Sequence, residues 1–162
     1  MQFPPTIVIR HRKENLNKCS LRGLENRADV CFFRYPLATL PPYKGYILLS
    51  LDANEELSSE DKDKGLLLLD ATWRYAKQMY LNLPFKESLI LRRIPSCFHT
   101  AYPRRQTDCS DPIQGLASIE AIACAYFLLE RSTEGLLDHY YWKDSFLEKN
   151  KSFLLNYNRP VA

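Results

Sequence analysis

Four consecutive leucines at positions 66–69 run straight into Asp70, and by Trp73 the pattern has become helical. A strand with one wet face alternates apolar and polar residues. An unbroken apolar run belongs to a strand covered on both sides, as in a parallel sheet between helix layers. Ligands of open α/β sheets bind beyond the carboxyl ends of the strands, so this strand delivers Asp70 to the edge where a site forms. Two other readings stand beside that one. Asp70 or Thr72 caps the next helix, a task both residue types perform well; or Asp70 holds magnesium, as at a nucleotide-hydrolase strand end. The last requires a glycine-rich loop ending in Gly-Lys-Ser/Thr, and the chain has none.

Residues 6–10 (TIVIR), 30–35 (VCFFRY), 45–51 (GYILLSL) and 88–91 (SLIL) predict further strands, with Pro4-Pro5, Pro36 and Pro41-Pro42 as boundaries. Helical spacing covers residues 72–81, 118–130 and an amphipathic region at 136–155. Strands alternating with helices argue for an α/β domain. At 162 residues, 46% of them hydrophobic and only five glycine, residues 1–162 are expected to make a single domain with its own core. The five cysteines (Cys19, Cys31, Cys97, Cys109, Cys124) are scattered and form no CxxC pair, which suits reduced thiols in a cytoplasmic protein. No apolar run reaches membrane-spanning length and no signal-like leader opens the chain, so no membrane partner is expected.

A net charge of +3 does not establish a polyanionic partner; position says more. Arg10, His11, Arg12, Lys13, Lys18, Arg22 and Arg27 form one basic cluster, Arg92, Arg93, Arg104 and Arg105 a second, and acids crowd residues 52–63. One positive face turned to phosphates is the arrangement this suggests. The aperiodic, proline-bounded loop at 95–112 carries Phe98, His99 and Tyr102 beside Arg104 and Arg105. Such rings stack on bases while arginines hold phosphates, or they simply plug the loop onto the core. Trp73 has the same ambiguity: with Ala76, Lys77 and Tyr80 on neighbouring helical faces, it is either core or the wall of a ligand pocket.

The tetrapeptide Asp70-Ala71-Thr72-Trp73 resembles the Asp-x-Thr-Trp signature of the DTW-domain family. Further blocks resemble that family in order: Arg10-His11-Arg12-Lys13-Glu14, Lys18-Cys19-Ser20-Leu21, Arg93-Ile94-Pro95, residues 102–106, and Gly115-Leu116-Ala117-Ser118-Ile119-Glu120-Ala121. The resemblance spans residues 7–127, and the Tsr-type ribosomal RNA aminocarboxypropyltransferases are similar in the same blocks.

The resemblance implies an S-adenosylmethionine-dependent transferase that places a 3-amino-3-carboxypropyl group on N3 of an RNA uridine and releases methylthioadenosine. The implied fold is SPOUT-like, a mostly parallel sheet flanked by helices with a C-terminal trefoil knot. Cofactor contacts fall on Ser20, Leu69, Thr72, Trp73, Ile94, Gln114, Leu116, Ser118 and Glu120. Ser118 is the hydroxyl for the cofactor, because Ala117 stands where the family often has serine or threonine. Leu69, Ile94 and Leu116 are apolar enough to hold the methyl group. Asp70 is either the general base for the N3 proton or a positioning group. Glu120 either meets the cofactor, hydrogen-bonds a loop amide or favours its helix dipole. Arg10, His11, Arg12, Lys13, Lys18, Arg104 and Arg105 are the expected RNA contacts, with tRNA favoured over ribosomal RNA. Other readings are a SPOUT-type methyltransferase and a noncatalytic RNA-binding protein. No metal is expected: the CxxC-rich stretch of many members is absent, and His11, His99 and Cys109 follow no ligand spacing.

Overall fold

The computed structural model of the chain describes residues 3–13, 20–103 and 115–154. Five strands, β1 (Thr6–His11), β2 (Val30–Tyr35), β3 (Ile47–Leu49), β4 (Leu66–Asp70) and β5 (Ile90–Arg92), form one sheet in the order β2-β1-β4-β3-β5, every neighbouring pair parallel. Helices α1 (Trp73–Leu81), α2 (Ser118–Leu128) and α3 (Lys143–Lys149) flank it. The mixed α/β fold with a parallel sheet is the one the sequence predicts.

β4 lies at the centre, and its leucines divide between two cores. Leu66 and Leu68 join Val8 and the α2 residues Ile119, Ile122 and Cys124. Leu67 joins Ile7, Ile9, Leu48 and Met79 of α1. Successive side chains of a strand point to opposite faces, so a strand covered on both must be apolar throughout. In the same register Arg10 lies opposite Asp70, bringing both to the carboxyl edge of the sheet. Helix α2 is buried on nearly every side, and its Tyr126 hydroxyl meets Thr6 Oγ1 at 2.7 Å. Burial pushes the Tyr126 phenol up to about 12, so it stays neutral.

Three elements differ from expectation. β3 is shorter than residues 45–51, because Gly45 turns at φ 77 before it and Ser50 and Leu51 turn away after it to form a rim. β5 starts later than Ser88, because Lys86–Ser88 is a 3-10 turn entered through Phe85 at φ 57. The amphipathic region at 136–155 is helical only over Lys143–Lys149; before it, turns bury Leu136, Leu137 and Tyr140 just as a helix would. Asn150 ends that helix, its amide donating to Phe146 O and His99 O while its carbonyl accepts from His99 N. Among the described residues no helix is long and apolar enough to cross a membrane, and Cys31, Cys97 and Cys124 are free thiols.

Gly23 holds the β1–β2 connection against the turns before α3. It adopts φ 100, and a Cβ there would run into the ring of His139. Both the backbone strain and the clash oppose any larger residue. Gly23→Ala should cost about 1–3 kcal/mol, lowering the melting temperature by roughly 2–4 °C per kcal/mol for a chain of this size. A melting curve superimposable on the native one would remove this packing role.

Candidate active site

A cavity of about 720 Å³ opens at the carboxyl ends of β3, β4 and β5, within the size range of small-molecule sites. Leu49 to its β3 side, Leu68, Leu69 and Asp70 of β4, and Leu91 of β5 form the floor. Trp73, Ala76, Lys77 and Tyr80 of α1 make one wall; Gly115, Leu116, Ala117, Ser118 and Ala121 at the start of α2 make another. Ser50, Leu51 and Asp52 form a rim, closed by Ile94, Pro95, Phe98 and Tyr102. The cavity therefore brings together Ser20, Leu69, Asp70, Thr72, Trp73, Ile94, Leu116 and Ser118 from the sequence-derived set. Gln114, Lys18, Arg104 and Arg105 lie outside the described residues.

Asp70 is only 3% exposed and both carboxylate oxygens have donors. Ser118 Oγ donates to Oδ1 at 2.8 Å, and Arg10 Nε donates to Oδ2 at 3.2 Å. One carboxylate thereby ties the ends of β1 and β4 to the first residue of α2. Ser20 adds a second tie. Ala117, the N-cap of α2, has no side-chain oxygen, and Ser20 Oγ instead accepts from Ile119 N at 3.2 Å, satisfying an otherwise orphaned helix N–H. Thr72 precedes α1 without a side-chain capping bond, so its exposed hydroxyl faces the cavity uncommitted to that role.

Among the three readings of Glu120, the loop-amide bond is the one the structure displays. Glu120 has no exposed surface and does not line the cavity. Its Oε1 accepts from Thr100 Oγ1 at 2.6 Å and Ala117 N at 2.7 Å; its Oε2 accepts from Ala101 N at 2.8 Å and the Tyr140 hydroxyl at 3.0 Å. The bond to Ala117 N is the return half of a capping box; those from Thr100 and Ala101 fasten the loop at 98–102 above the cavity, and that from Tyr140 ties in the turns before α3. Phe98 takes the second of its two readings, plugging the loop onto the core, where it is buried and packs on Phe153. Tyr102 lines the cavity, whereas His99 is held through its backbone by Asn150.

Trp73 combines the two roles the sequence left open. It is partly buried and lines the cavity, and its indole Nε1 is buried with no hydrogen-bond partner among the described residues. A buried donor without an acceptor is costly, and it is the ring as a whole that contributes to the cavity wall.

Several of the basic residues have partners within the fold. Arg10 pairs with Asp70 and with Glu25 at 3.5 Å and lies 4.7 Å from the Phe32 ring centre, its side chain only 12% exposed. It is a framework residue. His11 stacks against Tyr75 at 4.3 Å and Tyr35 at 5.7 Å; burial, then Arg12 and Lys13, hold its imidazole below the ordinary value, so it is neutral at pH 7 and a poor phosphate ligand. Arg12 and Lys13 are exposed. Arg92 pairs with Asp61 and Glu55, both at 3.3 Å, and Arg93 with Glu56 at 3.5 Å, so the acidic segment absorbs half of the second basic cluster. The described residues contain no group of three or more His, Cys, Asp or Glu able to hold a metal ion.

Sequence reasoning did not select Ser50, Leu51 and Asp52 as a rim, nor Tyr140 and Asn150 as anchors of the loop. Lys77 and Tyr80 carried a signal in their spacing of four and seven residues from Trp73 on one helical face.

A doubly covered parallel sheet with a cavity at its strand ends and two helices starting beside it defines an α/β domain of the class whose ligands sit at strand ends. Residues 47–161 match the family described as "Ribosome biogenesis protein, C-terminal", and the chain belongs to that family. This is the ribosomal side of the resemblance rather than the DTW-domain side. The solved structure of the SAM-dependent rRNA:acp-transferase Tsr3 from Vulcanisaeta distributa shares the fold, with a TM-score of 0.70 and 22% sequence identity over 94% of this chain and 82% of that one. No curated protein sequence matches the chain.

Proposed function

We propose that this chain transfers the 3-amino-3-carboxypropyl group of S-adenosylmethionine to N3 of a uridine in ribosomal RNA. The observation that carries the reading is the strand-end cavity, apolar along Leu69, Ile94 and Leu116 and walled on the α1 side by Trp73. Membership of a ribosome-biogenesis family and a fold shared with an enzyme acting on rRNA favour ribosomal RNA over the tRNA first expected. The same reading carries the trefoil knot of the SPOUT-like class.

The residues fit such a cofactor. The leucines and isoleucine suit its methyl group, the indole ring suits its adenine, and Thr72 and Ser118 supply hydroxyls. When bound, S-adenosylmethionine supplies three electrophilic carbons on one sulfonium. Which one reacts depends on which is held at near-attack distance, and apolar side chains that enclose the methyl leave the methionine arm toward the RNA. Asp70 holds Ser118 and Arg10 in place around that pocket, which supports its reading as a positioning group.

The test incubates the protein with ribosomal RNA, tRNA and S-adenosylmethionine labelled in the methionine arm, followed by nucleoside mass spectrometry. Label in a uridine of ribosomal RNA, with methylthioadenosine released, is the expected result. Label in tRNA alone would restore the other substrate. Release of S-adenosylhomocysteine would make the chain a methyltransferase, and cofactor-free RNA binding would make it noncatalytic.

A further inference from the structure

The two rims of the cavity have opposite charge. On the β3 side, residues 52–63 contain six acids and one lysine, and three of those acids neutralise Arg92 and Arg93. On the α1 side, residues 71–91 contain three cations, Arg74, Lys77 and Lys86, and one acid, Glu87. Here the lysines lie against aromatic rings. Lys77 Nζ is 5.1 Å from the Trp73 ring centre, Lys86 Nζ 5.9 Å from that of Tyr80, and Lys44 Nζ 3.8 Å from that of Phe85. Lys13 adds a fourth pair, 5.3 Å from the Tyr75 ring centre. None of these four lysines forms a salt bridge with a carboxylate among the described residues.

These pairs form a path rather than a scatter. Trp73, Lys77 and Tyr80 share one face of α1 and line the cavity. Lys86 reaches back to Leu81 O at 3.1 Å, tying the next loop to the end of the helix. Leu81 is 64% and Phe85 47% exposed. Phe85 adopts φ 57, a left-handed conformation that is rare for an aromatic residue; glycine or asparagine would suit that turn better, and the ring instead stands in solvent beside Lys44. From Trp73 to Leu81 the helix alone advances about 12 Å.

We propose that this lysine–aromatic strip, leading outward from the cavity along α1 to Phe85 and Lys44, docks the single-stranded RNA that flanks the target uridine. The inference rests on the ribosomal-RNA reading above. Lysines meet phosphates through charge, and exposed rings stack on bases. Stacking of this kind requires unpaired bases, because a duplex keeps its bases closed to side chains. The acidic opposite rim repels a polyanion and leaves the α1 side as its approach.

The experiment measures binding of an oligouridylate of about a dozen nucleotides, and of duplex RNA, across a salt series. Two variants lie at the far end of the strip, away from the cofactor cavity. Lys44→Gln/Lys86→Gln should reduce the slope of log affinity against log salt by about 1.4, from two lost contacts at about 0.7 each on a single strand. Phe85→Asn, which accepts the same backbone conformation, should weaken oligouridylate binding about fivefold or more with the slope unchanged. Melting temperature and S-adenosylmethionine affinity should stay at native values in both. Native RNA affinity and slope in both variants would overturn the strip while leaving the transfer reaction intact, and would assign the exposed rings to a protein partner. A slope change without any effect of Phe85→Asn, equal on duplex RNA, would overturn the stacking. Failure of the native protein to bind either RNA would overturn the strip together with the RNA reading.

Discussion

Glu120→Ala should destabilise the protein by about 3–5 kcal/mol, since a buried unsatisfied donor costs about 1–3 kcal/mol and several are created together. The carboxylate accepts from two backbone amides and two hydroxyls with no exposed surface. Removing it strands all four donors in a site closed to solvent. Glu120→Gln is the sharper variant: it keeps the volume, but its amide nitrogen turns a donor toward donors already there. A urea titration should show a lower midpoint at unchanged slope, and a thermal scan a loss of roughly 10 °C. The loop at 98–102 and the start of α2 should also loosen in the variant that still folds, weakening cofactor binding. A loss below about 1 kcal/mol for Glu120→Ala would show that water replaces the carboxylate and that the loop is held by other contacts.

The parts of the molecule legible in the sequence are those set by local pattern. The four leucines before Asp70 announce a doubly covered strand because burial on both faces leaves no position for a polar residue, and the change of period at Trp73 marks α1. The cavity followed from that junction, since Asp70, Thr72 and Trp73 come from one strand-to-helix turn. What was not legible depends on partners distant in the chain. Counting cations made Arg10 an RNA contact and put Arg92 and Arg93 in a basic cluster; the parallel register and the fold of the acidic segment supply them with Asp70, Asp61, Glu55 and Glu56 as partners. The missing cap at Ala117 could be read, but not its replacement by Ser20, 99 residues before Ile119. Asn150 stops α3 because its side chain finds the backbone of His99, 51 residues away, a contact that no spacing rule encodes. The charged surface left over is then a property of the fold, and it lies along α1.

Asp70→Asn should weaken S-adenosylmethionine binding about ten- to a hundredfold and lower transfer in parallel, without recovery at high pH. The magnitude follows from losing a charge-assisted hydrogen bond of about 1.5–3 kcal/mol, with each 1.4 kcal/mol a factor of ten in affinity. The geometry explains why binding suffers. Ser118 Oγ and Arg10 Nε address separate oxygens of the carboxylate, and an amide in its place can serve one of them only by presenting N–H to the other. Ser118 then turns, the start of α2 shifts, and Arg10 keeps its ion pair with Glu25 at 3.5 Å. Ser118→Ala should reproduce a smaller part of the affinity loss, because it removes one bond and leaves the ion pair. A general base gives a different signature: turnover falls about a hundredfold to ten-thousandfold with both substrates still bound, and raised pH partly restores it as hydroxide takes the proton. Isothermal titration and single-turnover transfer, each run across pH, separate the two. Native affinity with a steep, pH-rescued loss of turnover would make Asp70 the base. Native affinity and native turnover together would remove it from the reaction and direct the search to Asp52, the other carboxylate lining the cavity, which has no hydrogen-bond partner for its side chain among the described residues.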